Sequence, residues 1–369
     1  MDEGKSLQQA AVWAVGTMSG TSLDGVDAAL LLTDGVSIEA FGDTLYRPYS
    51  EGERDLLRAA LGKWPGEAGV AEAAAVVAAA HLEALAQLEG AEIAGIHGQT
   101  LAHEPKGRGT HQTGAGPELA AQLGLPLVWD FRSADVAAGG EGAPLAPVYH
   151  WALARYIGAS EPVAFLNMGG VGNITWVNPL AEDPFAPGAL LAFDTGPANA
   201  PVNDLMQRRL GLSVDQDGAL AGAGTVLQSV VEDFLADRFF TRRPPKSLDR
   251  DAFVRLGEAV GGLPDADAAA TLVYAAAAAV EKAVAWCPSP PSALYVTGGG
   301  RHNRTMMGDL AALLPCPVAP VEAVGLDGDM LEAQAFAYMA VRAARGLAIS
   351  GPATTGVSQP LSGGQIAWP

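Results

Sequence analysis

Residues 16 to 27 read GTMSGTSLDGVD, a run of glycines, hydroxyls and carboxylates held between the apolar stretches AVWAV and AALLL. Gly20, Thr21, Ser22, Leu23, Asp24, Gly25, Val26 and Asp27 form its centre. A turn of this composition can bring backbone N–H groups and hydroxyls close to an anion, because glycine permits close approach and positive φ. Phosphate is the anion it suits. Asp24 and Asp27 would repel phosphate unless a cation such as Mg2+ stood between them. The run is not a Walker A loop: the lysine is missing, and the residues that follow read as strand where that motif requires a helix. A glycine-rich hairpin turn accounts for the same residues without any ligand.

A second cluster, ALYVTGGGRHNRTMMGDLAALL, reads as a strand, then Gly298, Gly299 and Gly300, then a helix. Bare backbone between strand and helix lets a base or phosphate approach closely, although a tight βα turn would use the same glycines. Other polar residues fall at the ends of apolar runs: His97, Gln99 and Thr100 in IHGQTLAH, Asp130, Arg132 and Asp135 in VWDFRSADVAAGG, and Asp194 in AFDTGPANAPVND. In open α/β sheets such strand ends face the ligand crevice. His103, His111 and His150 fit surface or satisfied core positions. The histidine and cysteine spacings do not match a transition-metal site.

These residues need elements to hold them, and the chain supplies alternating ones. Glycine-punctuated β-rich segments exchange with alanine-rich helical stretches such as VAEAAAVVAAAHLEALAQL, GTVLQSVVEDFLADRFF and MLEAQAFAYMAVRAARG, which predicts an α/β protein. The strand–turn–strand design of AVWAVGTMSGTSLDGVDAALLL returns in EPVAFLNMGGVGNITWVN about 150 residues later, which predicts two similar α/β domains facing a cleft.

With 369 residues and 49% hydrophobic composition the chain can bury two domain cores. Its 22 basic and 41 acidic side chains leave a net charge of −19, which disfavours nucleic acid and anionic membrane as partners. Cys287 and Cys316 each neighbour a proline in apolar surroundings and read as reduced core thiols. No secretory signal is evident, and the most apolar helical stretch, AAATLVYAAAAAVEKAVAW, meets charge short of the ~20 residues a bilayer requires. A cytoplasmic protein is the expectation.

The motifs GTMSGTSLDGVDAAL, HGQTLAHEP, FRSADVAAGGEGAPLAP, NMGGVGNIT, FDTGPAN, PKSLDRDAF, TGGGRHN and GLDGDMLEAQAFAYMA occur in this order over essentially the whole chain. Together they resemble the anhydro-N-acetylmuramic acid kinase family. The resemblance implies the actin-like ATPase and sugar-kinase fold, two related ribonuclease-H-like α/β domains flanking a nucleotide cleft. One would comprise residues 1–147 with 346–369 and carry the phosphate loop; the other, 148–345, would carry the catalytic aspartate and the adenosine-side glycines. The implied reaction converts ATP, water and 1,6-anhydro-N-acetylmuramic acid to ADP and N-acetylmuramic acid 6-phosphate, a step in cell-wall recycling.

Carried over residue by residue, the resemblance makes Asp194 the base that activates water. It places Gly20 to Asp27 around the ATP phosphates, Asp24 as the water-mediated Mg2+ partner, and Gly298 to Gly300 beside the adenosine. Thr100, Arg132 and Glu332 would face the sugar, with Arg132 suited to its lactyl carboxylate because a guanidinium binds carboxylate with two donors. A homodimer is compatible with the family. The cation that stabilises the transferred phosphoryl group is not evident in the sequence. Three places depart from the family pattern: Glu141 replaces a usual glutamine, Ala198 a usual glycine, and Leu248, Asp249 and Arg250 a usual Thr-Gly-Arg. Two rivals remain: a kinase of the same fold acting on an ordinary amino-sugar hydroxyl, and a non-enzymatic ATP-gated clamp.

Overall fold

The computed structural model describes residues 10–20, 22–114, 116–248 and 252–369. The chain is mixed α/β and divides into two compact units, one running to Tyr156 and resuming as Asp329–Pro369, the other spanning Ile157–Gly328.

The first unit holds a sheet of β1 (Val12–Ser19), β2 (Gly25–Thr33), β3 (Ile38–Pro48), β4 (Ile93–Glu104), β5 (Gly109–Thr113), β6 (Leu127–Trp129) and a last strand, β12 (Gln365–Ala367). Its order is β12-β6-β4-β1-β2-β3, with β5 paired to β4. β3, β2 and β1 run antiparallel, and β1, β4 and β6 run parallel. β1 and β2 are buried almost throughout, as expected of strands covered on both faces.

One covering element is the helix Leu331–Ala344, whose contact with the sheet depends on two strand glycines. A Cβ on Gly16 would collide with the Ala333 carbonyl, and one on Gly95 with that of Phe336. Only bare backbone lets the helix lie so close. That packing binds the helix to the first unit, so the division falls before it, where the sequence reading puts the boundary at 345/346.

The second unit repeats the design. β7 (Val163–Met168), β8 (Val171–Val177), β9 (Leu190–Pro197), β10 (Leu294–Thr297) and β11 (Val318–Pro320) are ordered β11-β10-β7-β8-β9. Again three strands form an antiparallel meander and the next two run parallel to the first of them. This repetition accounts for the echo between the two strand–turn–strand segments. The helix Asp265–Val284 packs here; its alanine-rich faces allow close approach, and fourteen of its residues are buried. The segment GTVLQSVVEDFLADRFF does not form one helix. It breaks at Asp237, whose side chain accepts from the Phe239 N–H at 2.8 Å and starts a second short helix, Arg238–Thr241. Cys287 and Cys316 are free and half-buried. Among the described residues no helix is long and apolar enough to cross a membrane.

Candidate active site

In the first unit the turn between β1 and β2 is tied down from the side. Gln99, fully buried within β4, donates Nε2–H to the Gly20 carbonyl at 3.1 Å and accepts from Ser19 Oγ at 2.5 Å. Ser19 Oγ also lies 3.0 Å from the Tyr49 hydroxyl. Leu23 sits at φ +57° with its side chain in the core, and its N–H bonds the Gly20 carbonyl at 3.2 Å, which curls the turn. Val26 is likewise a core side chain.

The glycines of this turn divide by role. A Cβ on Gly25 would come within 2.5 Å of the Arg47 carbonyl oxygen, so Gly25 has a structural reason to be glycine. Among the described residues a Cβ on Gly20 would meet nothing nearer than Ser22 Oγ at 3.5 Å. Packing against described residues therefore gives Gly20 no reason to be glycine. Asp24 is exposed; its Oδ1 accepts from Ser22 Oγ at 2.7 Å and from the Gly25 N–H at 3.2 Å. Asp27 lies on β2, opposite Met18 and Tyr46. Thr21 lies outside the described residues.

The same unit carries Thr100, Arg132 and Glu332. Thr100 Oγ1 accepts from Gln112 Nε2 at 3.1 Å. Arg132 donates Nη1–H to the Gly142 carbonyl at 2.7 Å and places Nε and Nη2 at 3.2 and 3.0 Å from His97 Nε2. Burial lowers its pKa to about 10, against the attraction of Glu332 and Asp135, so it keeps its charge at neutral pH. Gly142 is fixed in turn by its N–H bond to Asp135 Oδ1 at 2.8 Å. Asp135 Oδ2 accepts from Ser350 Oγ and Thr355 Oγ1, which draws the C-terminal segment into this support. Glu141, one of the departures from the family pattern, pairs with Lys106 at 2.8 Å.

In the second unit Asp194 lies within β9 rather than after it. The β8–β9 register shifts between Gly172 and Asn173, an irregularity that aims a side chain out of the regular alternation. Both carboxylate oxygens are engaged: Oδ1 accepts from Asn173 Nδ2 at 2.8 Å and Oδ2 from the Leu248 N–H at 2.7 Å. Burial raises the Asp194 pKa to about 6, against the opposing pull of these bonds and of Lys246.

Lys246 is buried and donates Nζ–H to the Phe239 carbonyl at 2.9 Å, 4.3 Å above the Phe239 ring. Burial lowers its pKa to about 8. Its backbone carbonyl accepts from the Asp194 N–H at 2.9 Å. Leu248 departs from the family pattern in side chain only, since the backbone N–H makes the bond; Asp249 and Arg250 lie outside the described residues. Ala198 adopts φ −120° and ψ −105°, and its methyl joins the core.

Of the three adjacent glycines, two are explained by packing. Gly298 sits at φ +72° and a Cβ there would collide with Asn167 Oδ1; one on Gly300 would lie 2.5 Å from the Met168 Cβ. Gly299 instead opens on a cavity of about 270 Å3 walled by Asn199, Asn203, Asp215, Asp217 and Asn303. That is near the lower end of the roughly 300–1,000 Å3 usual for small-molecule sites. The wall is pre-formed: Asp215 accepts from the Leu220 and Ala221 N–H groups at 2.9 and 3.0 Å, and Thr305 Oγ1 donates to the Gly218 carbonyl at 2.8 Å.

Sequence reasoning assigned no role to Asn173, Lys246 or the cavity walls. Asn173 and Lys246 were visible only as polar residues inside otherwise recognisable motifs. The first unit carries the turn, Thr100, Arg132 and Glu332; the second carries Asp194 and the glycine cluster. Among the described residues no group of three or more His, Cys, Asp or Glu side chains could by itself hold a metal ion.

Comparison with known proteins defines the class first: the chain is a phosphotransferase, a kinase. A family model described as anhydro-N-acetylmuramic acid kinase matches residues 12–369. The chain belongs to the anhydro-N-acetylmuramic acid kinase family. It is 66% identical over 363 residues to a protein of that name from Cereibacter sphaeroides, covering 98% of each chain. It is 58% identical over 358 residues to one from a Ruegeria species, covering 97% of this chain and 95% of that one. Among solved structures, a ROK family glucokinase from Streptomyces griseus in complex with glucose and AMPPNP is 14% identical with a TM-score of 0.42, over 89% of this chain and 99% of that chain.

Proposed function

We propose that this kinase opens 1,6-anhydro-N-acetylmuramic acid with water and transfers the γ-phosphoryl group of ATP to O6, using Asp194 as the general base. In the anhydro sugar O6 and C1 belong to one ether, so O6 has no proton to lose. It becomes a nucleophile toward phosphorus only as the C1–O6 bond breaks. Water adds to C1 on the face opposite O6 and gives its proton to Asp194. The C1–O6 electron pair passes to O6, O6 bonds to phosphorus, and ADP leaves. The chemistry parallels inverting glycoside hydrolysis with the phosphoryl group in place of the catalytic acid.

The observation that carries this reading is the setting of Asp194. A carboxylate raised to about 6 is ionised at neutral pH yet basic enough to take a proton, and its two N–H donors fix its orientation. Gly20 and the turn to Asp27 would hold the ATP phosphates, with the open backbone at Gly20 as their closest approach. Gly299 and its cavity would take the adenosine. Arg132 would bind the lactyl carboxylate, with Thr100 and Glu332 on the sugar hydroxyls.

Asp24 fits a water-mediated role toward Mg2+: it is exposed at the turn, and Mg2+ is commonly held by one or two carboxylates together with waters and substrate phosphates. When bound there, Mg2+ would offset charge on the transferred group. Lys246 is a cation beside Asp194. An ATP-dependent activity supports a cytoplasmic location.

The test is ADP formation with the anhydro sugar, with N-acetylmuramic acid and with N-acetylglucosamine. Turnover should require the anhydro sugar. Equal turnover with either free sugar would replace this reading with that of an ordinary amino-sugar kinase.

A further inference from the structure

Arg132 is held in an unusual way for a residue offered to an anion: its inner edge is occupied by a histidine rather than by a carboxylate. His97 is 5% exposed, within β4, with its ring 4.9 Å from that of Phe336. Its Nδ1 lies 2.7 Å from the Gly98 carbonyl oxygen. A carbonyl only accepts, so Nδ1 carries the ring hydrogen, and Nε2 of the neutral ring is left as an acceptor. Nε2 is the atom that Arg132 Nε and Nη2 approach at 3.2 and 3.0 Å.

The five guanidinium N–H groups can then be accounted for. The Nε–H and one Nη2–H share His97 Nε2, and one Nη1–H bonds the Gly142 carbonyl at 2.7 Å. Among the described residues one N–H on Nη1 and one on Nη2 remain, and two donors on the terminal nitrogens can meet the two oxygens of a carboxylate. A carboxylate in place of His97 would pair with Arg132 and cancel the charge the ligand needs. A neutral imidazole orients the guanidinium and leaves its charge intact.

We propose that His97, through its Nδ1–H tautomer, is a positioning residue that holds the terminal fork of Arg132 ready for the substrate carboxylate. This rests on the reading of Arg132 as the lactyl-carboxylate ligand. The groups around the imidazole favour its neutral form. Burial, the Arg132 charge and His81 all disfavour protonation, while the carbonyls of Gly98 and Ser19 oppose them less strongly, and the pKa is held well below the ordinary histidine value. Glu332 and Asp135 act on Arg132, and His103 lies under the same Arg132 field.

The experiment measures the KM of the intact enzyme for the anhydro sugar and for its lactyl methyl ester, which lacks the negative charge. The variants are Arg132→Ala, His97→Phe, His97→Gln and the double variant Arg132→Ala with His97→Phe. Phenylalanine keeps the ring packing on Phe336 and removes the acceptor; glutamine can return an acceptor oxygen near the position of Nε2. Expected is a rise in KM for the acid of about tenfold in His97→Phe, the scale of one hydrogen bond to a charged group. KM for the ester should change less than about twofold, the Gln variant should recover most of the loss, and the double variant should bind the acid no worse than Arg132→Ala alone.

If Arg132→Ala does not distinguish acid from ester, the ligand assignment of Arg132 fails. If it does, but His97→Phe weakens acid and ester alike, or acts additively with Arg132→Ala, then His97 has only a packing role and the proposal is overturned.

Discussion

The fourth strand of each sheet meets a glycine with positive φ, Gly98 at +69° within β4 and Gly298 at +72° directly after β10, and the surroundings of the two differ. Around Gly98 the chain presents side chains: His97 grips Arg132, and Gln99 grips the neighbouring turn. Around Gly298 it presents bare backbone and a cavity. The third strands differ as well. β3 is largely exposed or half-buried, whereas β9, its counterpart, carries Asp194 beside a register shift with both oxygens engaged. One strand order thus supplies equivalent positions twice, and under the proposed mechanism local residues would turn one set toward anion binding and the other toward proton transfer and nucleotide contact.

The comparison breaks most visibly at Asp194. Asp194→Asn should leave ATP affinity nearly unchanged and lower turnover by at least about 10²–10⁴-fold, because an amide cannot take a proton from water. Retention of a tenth of wild-type turnover would assign the base elsewhere.

The two units should also respond to acid in opposite senses. His81, buried against Thr17 with Nδ1 2.7 Å from Oγ1, is lowered to about 4, and His150 to about 3. Their unfolded forms bind protons first, so the first unit loses stability as pH falls from 6.5 toward those values, by roughly 3 kcal/mol for His81 alone. Asp194 is raised to about 6, so its contribution runs the other way: the second unit loses stability as pH rises from 3.8 through 6. Hydrogen exchange at pH 5 against pH 7 should show the first unit loosening preferentially, and His81→Leu should reduce the difference. Uniform loosening of both units would contradict the contrast.

A smaller effect separates ligand from scaffold within the β1–β2 turn. Gly20→Ala should keep the wild-type thermal midpoint while weakening ATP by about tenfold, the scale of one charge-assisted hydrogen bond. Gly25→Ala should lower the midpoint instead, because its Cβ meets the Arg47 carbonyl. Unchanged ATP affinity in the Gly20 variant would remove the turn from the phosphate site. The smallest effect is on the pH profile. Asn173→Ala deletes a bond that favours the ionised form of Asp194, so the acid limb of kcat/KM should move to higher pH. A limb that stays in place would separate that titration from Asp194.

The parts legible in the sequence are those encoded by neighbours in the chain. Apolar runs ending in glycine, as at Ser19–Gly20 and Thr297–Gly298, mark strand ends, and the motif order carries the family. What escaped depends on distant pairing. Asn173 meets Asp194 across 21 residues, Leu248 across 54, and His97 meets Arg132 across 35. None follows from local periodicity, because each needs the strand register and, at Asp194, the irregularity beside Asn173. The helix Leu331–Ala344 was readable as a helix, but its unit was not, since that depends on the missing side chains of Gly16 and Gly95. Likewise the three consecutive glycines look equivalent in the sequence, and only their surroundings reveal that Gly299 alone lines the cavity.

The central claim, that one carboxylate delivers water to C1 as O6 leaves for phosphorus, is tested most directly by turnover in ¹⁸O-water with product examined before anomeric exchange. The account predicts one label on the C1 hydroxyl and none on the O6 that bridges to phosphorus. It also predicts the α anomer alone at first, because the anhydro linkage holds O6 on the β face and water attacks from the other. Label at O6, or an early mixture of anomers, would contradict it.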